Sequence, residues 1–500
     1  MKKTMLLYLA VLYLFASCSK SNEIPEDSHD HLPPTPFSIS LEEINDKSAT
    51  IVWTASEDPE SKTIIYSIYL DDNLAEDKTK VLTYTWDGLS AETSYNVKIV
   101  ASNGVFNTTS TFKFTTSEYN PLVFEGDVIL HNQQEVIDFG KNRYDIIKGS
   151  LTIGRVDKIT PSDIVNLSYL NDLTAVSGSI DIYRSPLKTL EGLNNIVSIG
   201  ERLYINNNSS LLDLDALESL TTVTEYISLS RNPSLASLNG LNRLTQVEHV
   251  IIHDCDNLQN LNGLQNVNPV LNNLLIEKND LLTDITALDQ ISSVQILFID
   301  ENASLQNING LDNITGVETL LKITNNSNLT DLSALSKLSS VGEHANFFTE
   351  DNGVLINDNP QLETLNGLQS LSKIYGNLRI GNNKNLRNLK GLNNLAEVTG
   401  NIWLQWNDSL ESLDDLENLI SIHKDLRIVD NSSITNLDGL NTLESVGFNI
   451  HIADNSMLSS ICGLQNVLNK ENSPNISISG NAFDSNNLTK QDIIDGNCSN

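Results

Sequence analysis

The sequence predicts a mainly β protein: a small antiparallel sandwich followed by a long parallel β-solenoid with short 3₁₀ and turn segments. Three observations carry this. From residue 36 to 117 apolar and polar residues alternate in short runs split by turn-forming clusters, as half-buried antiparallel strands require. Beyond residue 148 one pattern, L-x-I-x-x-N-x-x-L-x-x-L-x-G-L-x-x-L-x-x-V, recurs as far as Ile478. Its period is nearly constant. With Ile380 as marker, the same position falls at Ile182, Ile205, Leu229, Ile252, Ile276, Ile299, Ile323, Ile356, Leu404, Ile428, Ile452 and Ile478. The steps are 23 or 24 residues, except 33 into Ile356 and 26 into Ile478. A fixed period of that size means one rung per repeat, each unable to bury its apolar face alone.

The chain of 500 residues, 39% hydrophobic, is long enough for more than one domain. A formal charge of -33 argues against nucleic acid as a partner, since that needs a basic footprint. Residues 1–17 read as a secretory signal: Lys2 and Lys3 precede the apolar run MLLYLAVLYLF, which ends in Ala16 and Ser17 before Cys18. No other stretch reaches the ~18 apolar residues that a membrane span needs. Phe15-Ala16-Ser17-Cys18 resembles a bacterial lipobox, with Phe15 in place of the commoner Leu. The resemblance implies cleavage before Cys18 and its acylation. Ser19 resembles outer-membrane sorting, and the acidic tether over residues 18–35 resembles those of Bacteroidetes-type surface lipoproteins. A lipid-anchored protein of the cell outer membrane, exposed at the surface, is therefore expected, with lipid as its sole membrane contact. His29 and His31 are expected to be solvated residues of the tether, and no metal or cofactor is expected.

In the sandwich region, residues 36–117, Trp53 on the second strand, Tyr66 and Tyr69 on the third, and Leu89 and Tyr95 in LSAETSYNVKIVASNG resemble a fibronectin type III module. Ala91 stands where that family often has Pro. The resemblance implies that Trp53 is core rather than a ligand contact, and that the module is a spacer. No Arg-Gly-Asp triplet supports integrin binding.

Residues 118–148 depart from the repeat and are expected to cap the solenoid, which runs from 149 to 480, with 481–500 closing the other end. Within one rung Leu378 and Ile380 alternate with polar residues, so each rung opens with a strand. Leu386, Leu389, Leu392, Leu395 and Val398 then recur every third residue, which suits tight turns and 3₁₀ segments. Gly391 marks a bend. Three places after the marker stands an Asn, from Asn208 to Asn481, with Cys255 once in the same column. A buried amide there bonds backbone groups that the curve leaves unpaired. These residues resemble the leucine-rich-repeat superfamily, and closely the receptor L domain. That implies a right-handed solenoid and a structural Cys255. Cys462 and Cys498, near the end of an exported chain, are expected to form a disulfide, with free thiols as the alternative.

Equivalent residues on neighbouring rungs lie about 4.8 Å apart, so columns read as surfaces. The outward residue before the marker places Trp403 between Arg379 and Arg427, an arrangement suited to cation–π stacking on both faces. Trp406 follows just past the strand. Exposed Trp and Arg dominate binding hot spots, so these four residues are the candidate ligand site; a self-satisfied stack is the plain alternative. Ile251, Leu275 and Phe298 form an apolar strip in the same column, suited to protein contact or to burial under a neighbouring segment. The long rung carries GEHANFFTEDNG, whose Phe347 and Phe348 read as a lid, a ligand contact or the loop's own small core. The expected function is cell-surface recognition or adhesion, binding an extracellular protein or glycan without catalysis. Two alternatives stand beside it. One is a polysaccharide-degrading β-helix using Glu277 and Asp300, adjacent carboxylates with His253, Asp254 and Glu301 nearby. The other is a purely structural envelope protein.

Overall fold

The computed structural model describes residues 32–155, 162–343, 352–482 and 488–499. The signal segment, Cys18, His29, His31, Phe347 and Phe348 lie outside the described residues. Contacts divide the chain into two compact units, Met1–Asn120 and Pro121–Asn500.

The first unit is an antiparallel sandwich. One sheet holds Ile39–Ile44, Ala49–Trp53 and Thr83–Trp86; the other holds Asn73–Thr79, Ile65–Leu70, Ser94–Ser102 and Asn107–Thr115. Strict alternation drives it: in Ala49–Trp53 the side chains of Ala49, Ile51 and Trp53 are buried and those between them less so. Trp53 is 4% exposed and meets Tyr66 edge-on at 5.6 Å. It is core, as expected. The Tyr95 hydroxyl accepts from the Ser90 N–H at 2.9 Å and pins the loop before its own strand.

The second unit is one long parallel ladder. It begins at Val128–Leu130, ahead of the point where the repeat becomes readable, and ends at Asn475–Ser479. Its register pairs the markers side by side: Ile323 with Ile356, Ile356 with Ile380, Ile380 with Leu404, and Leu404 with Ile428. The 33-residue step therefore leaves the register of the ladder intact. Leucines at three-residue spacing form short 3₁₀ segments such as Thr286–Leu288, Ser333–Leu335 and Asp414–Leu416. At the last apolar position of the repeat, two-residue strands such as Lys373–Ile374 and Glu397–Val398 build a second, narrower ladder. In Val270–Glu277, Ser293–Asp300 and Gly316–Thr324 the corner between these strands is lost and the two run on as one.

The core follows from the pattern. Leu378, Ile380, Leu386, Leu389, Leu392, Leu395 and Val398 of a single rung are each at most 1% exposed. Every such side chain contributes roughly 1.5–3 kcal/mol by burial, so stacking rungs is strongly favoured. The bend before Leu392 needs glycine: Gly391 has φ 115°, and a Cβ there would stand 2.0 Å from the Leu365 carbonyl oxygen. Rungs with Ala or Asp at this place, as in Thr286–Leu288 and Asp414–Leu416, take the 3₁₀ form instead.

The Asn column is a continuous buried ladder. Asn383 Nδ2 donates to the Ile356 carbonyl at 2.8 Å, and its Oδ1 accepts the Asn359 N–H at 3.0 Å. The same two bonds recur at Asn232, Asn302, Asn326, Asn407, Asn431 and Asn455, apart from one rung. There Cys255 stands in the column, its thiol 3.7 Å from the Leu229 carbonyl. Burial pushes that thiol up to about 12, so it is inert as a nucleophile. Cys255→Asn is expected to raise stability by about 1 kcal/mol, because the Asn232 N–H exchanges a weak sulfur acceptor for an amide oxygen. A thermal melt of the variant beside the parent checks this.

The ends are covered. Gln133–Gly140 is a helix whose N-cap Asn132 accepts from the Glu135 N–H. At the other end Lys490–Ile494 is held by a capping box of Thr489 and Asp492, with Ile493 buried. Cys462 and Cys498 are bridged across 36 residues.

Candidate functional site

Strand alternation turns the residue before each marker outward, and register places Arg379, Trp403 and Arg427 in one row. The Arg379 guanidinium carbon lies 4.1 Å from the Trp403 ring centroid, and that of Arg427 lies 5.8 Å away. A cation therefore flanks the indole from each neighbouring rung. This changes what the ring offers. Its faces are taken by guanidinium groups, so a sugar stacked flat on it would first have to displace one of them. Its indole N–H is buried without a hydrogen-bond acceptor.

Beside Trp403 a cleft of about 530 Å³ opens at the end where the strands enter the sheet. Trp403, Arg379 and Tyr375 line it together with Asn377, Asn401 and Lys424. Gly342, Glu343 and Asn352, flanking the inserted segment of the long rung, also line it. A polar chain fixes this corner: Asn377 Oδ1 accepts from the Asn401 N–H at 2.9 Å, Asn401 Oδ1 from the Asp425 N–H at 3.0 Å, and Asp425 Oδ1 from the Asn449 N–H at 2.9 Å. Lys373 sits 4.6 Å from the Tyr375 ring centroid. Glu397 lies 3.0 Å from the Lys373 ammonium and 3.0 Å from His423, and so satisfies both. Among the described residues, no carboxylate lies within ion-pair distance of Lys424 or Arg427.

Trp406 is not part of this cleft. It stands at the opposite end of the strand, 54% exposed, and its Nε1 donates to Asp430 at 3.1 Å. Its φ of 58° belongs to a corner column that is left-handed throughout, with Asn382 at 53° and Asp430 at 55°. Asn and Asp adopt that conformation readily, whereas a bulky residue there is a genuine outlier, at a cost of roughly 1–2 kcal/mol. The same column lines a groove of about 750 Å³ that passes Asp254, Glu301, Asp358 and Asn382.

Ile251, Leu275 and Phe298 are register partners, half-buried on the sheet face. Ile296, Leu320 and Leu355 widen the strip. Ile296 and Leu320 belong to the fused strands, where the missing corner leaves extra outward positions. The Lys322 ammonium lies over Phe298 at 5.1 Å and 2.5 Å from Asp300.

Glu277 and Asp300 are register partners too. Asp300, however, is 8% exposed and accepts from Lys322, Thr324 and Asn325. Burial alone would raise its pKa, but those donors outweigh it and the carboxyl titrates below the usual range. A general acid needs the opposite shift. His253 lies 3.7 Å from Glu277. Asp254 and Glu301 occupy the corner column, where Arg231 and Lys278 face them at 3.9 and 3.7 Å. Among the described residues no group of three His, Cys, Asp or Glu side chains could hold a metal ion. None of their helices is long and apolar enough to cross a membrane.

An aromatic cluster near the first rungs escaped the sequence reading. Tyr183 and Tyr204 meet at 5.4 Å, and Arg202 lies 5.9 Å from the rings of both Tyr204 and Tyr226. Arg202 donates twice to Asp181 at 2.9 Å, which pushes its pKa upward, and burial raises that of Tyr183. Tyr204 stands in the column before the marker; Tyr226 and Tyr183 lie in the outward columns on either side, so only the three-dimensional register brings them together.

Comparison with known proteins adds the following. Residues 32–117 match the model of the fibronectin type III domain, and residues 289–374 match that of the receptor L domain. No curated protein matches the chain. One solved structure, of a family 28 exopolygalacturonase from Yersinia enterocolitica, aligns over 91% of this chain and 97% of its own at 12% identity. Its TM-score is 0.19, and at that value the likeness carries no argument.

Proposed function

We propose that this chain is a cell-surface protein that captures an extracellular ligand, a glycan or a protein, on the sheet face of its solenoid. Capture is non-covalent and involves no turnover. The observation that carries the reading is the indole of Trp403, held between Arg379 and Arg427 at the wall of a cleft. Rigid aromatic and arginine side chains beside a concavity are the composition of a binding hot spot. The fibronectin type III and receptor L matches support a ligand-binding surface protein. In this reading Cys18 is acylated and anchors the chain to the outer membrane, facing outward. A single acyl chain binds membranes only marginally, so stable anchoring needs more than one.

The test is a binding screen of the full-length chain against glycans and extracellular proteins, run beside Trp403→Ala. The expected result is a ligand bound by the parent and at least about tenfold more weakly by the variant, a loss of roughly 1.4 kcal/mol or more, at an unchanged melting temperature. Equal binding by both would remove the site from Trp403 and direct attention to the strip of Ile251, Leu275 and Phe298. Incorporation of labelled fatty acid by the parent and by Cys18→Ala in cells tests the anchor: label in the variant would refute it.

A further inference from the structure

Resting on that reading, we infer that the ligand of the Trp403 cleft is an anionic saccharide, recognised through a carboxylate or sulfate group. The charge pattern points there first. The chain carries 64 acidic and 31 basic residues, so its cations should find carboxylates easily. Lys424 in the cleft and Arg427 against Trp403 nonetheless have none within ion-pair distance among the described residues. The lining adds Arg379, and among its described residues Glu343, which is exposed, is the one carboxylate. A locally cationic cleft in so acidic a chain is selective. At physiological ionic strength the Debye length is about 8 Å, so repulsion from distant carboxylates is screened while contacts inside the cleft are not.

The hydrogen-bonding inventory agrees. The Trp403 N–H is buried without an acceptor, and a buried donor left unpaired is costly. An oxyanion would supply one once a shift of the ring or of a flanking arginine opens the N–H to the cleft. Shape then separates saccharide from protein. A protein partner needs a broad patch, on the order of 800 Å² from each side, whereas a concavity of about 530 Å³ is the size that receives a small ligand. Tyr375 supplies an aromatic wall, and neighbouring amides at Asn377 and Asn401 supply the polar contacts that sugar hydroxyls require.

The experiment is calorimetric titration of the full-length chain with a hexuronic-acid trisaccharide, its carboxyl-reduced counterpart, a sulfated trisaccharide and an acidic tripeptide. Each is repeated on Lys424→Gln/Arg427→Gln and on Trp403→Ala. The expected result is binding of the uronate or the sulfated sugar, weakened about tenfold or more by carboxyl reduction or in the glutamine variant, at unchanged melting temperature. Which of the two charged sugars binds identifies the group. Equal affinity for the neutral and acidic trisaccharides would overturn the inference while leaving glycan capture at this face. Binding of the peptide alone, lost in Trp403→Ala, would also overturn it and leave the site standing for a polypeptide. Saccharide binding unaffected by Trp403→Ala would overturn both the inference and the site.

Discussion

Replacing Asn302 with Ala is expected to lower the stability of the solenoid by about 3–5 kcal/mol. Asn302 Nδ2 donates to the Ile276 carbonyl at 2.8 Å and the Asp300 carbonyl at 3.1 Å. Its Oδ1 accepts the Asn279 N–H at 3.2 Å. All of this is buried, so removing the amide leaves at least one carbonyl and one N–H without water or partner. Each such group costs roughly 1–3 kcal/mol. Neighbouring rungs share the loss, because stability in a stacked array is a sum of rung and interface terms. Asn302→Cys is expected to cost less, since Cys255 already occupies this column on another rung. Urea unfolding of parent, Ala and Cys variants gives the comparison; an Ala variant within 1 kcal/mol of the parent would mean that the ladder is incidental to stability.

Reduction of the Cys462–Cys498 bridge, or its removal by paired serine substitutions, is expected to cost about 3–4 kcal/mol. Cross-linking across 36 residues restricts the unfolded chain by that amount in the loop-entropy account. The loss falls on one end. Cys498 and Ile493 are buried against the last rungs, and repeat arrays unravel from ends whose caps are loose. Limited proteolysis with and without reductant should therefore release fragments from the C-terminal rungs first. Simultaneous loss of every rung would show instead that the array unfolds as one block.

Most of the solenoid could be read from the chain because the physics repeats. Ile380 and its equivalents must face inward on every rung, and the Asn column must satisfy the same backbone groups each time, so both leave a strict period. Trp403 between its two arginines was readable for the same reason: register follows from the period, and the 33-residue step into Ile356 does not disturb it. Other features leave no such trace. The left-handed corner holds Arg231, Glu301, Trp406 and Asp430 alike, because the conformation is imposed by the turn and not by one residue type. The fused strands at Val270–Thr324 depend on losing a corner, which the marker spacing does not reveal. The cleft is assembled from Tyr375, Asn401 and Lys424, residues of three different rungs lying outside the column that carries Trp403. The arginines that make Trp403 conspicuous in the sequence are also what cover its faces.

Hydroxyl-radical footprinting of the full-length chain, free and saturated with a ligand from the screen, tests the central claim most directly. Protection of Trp403 and Tyr375, with Phe298, Leu275 and Ile251 unchanged, is the result predicted by a ligand seated in the cleft. Protection of the apolar strip or of Tyr183, Tyr204 and Tyr226, with Trp403 unchanged, would contradict it and move the working surface to another part of the same sheet.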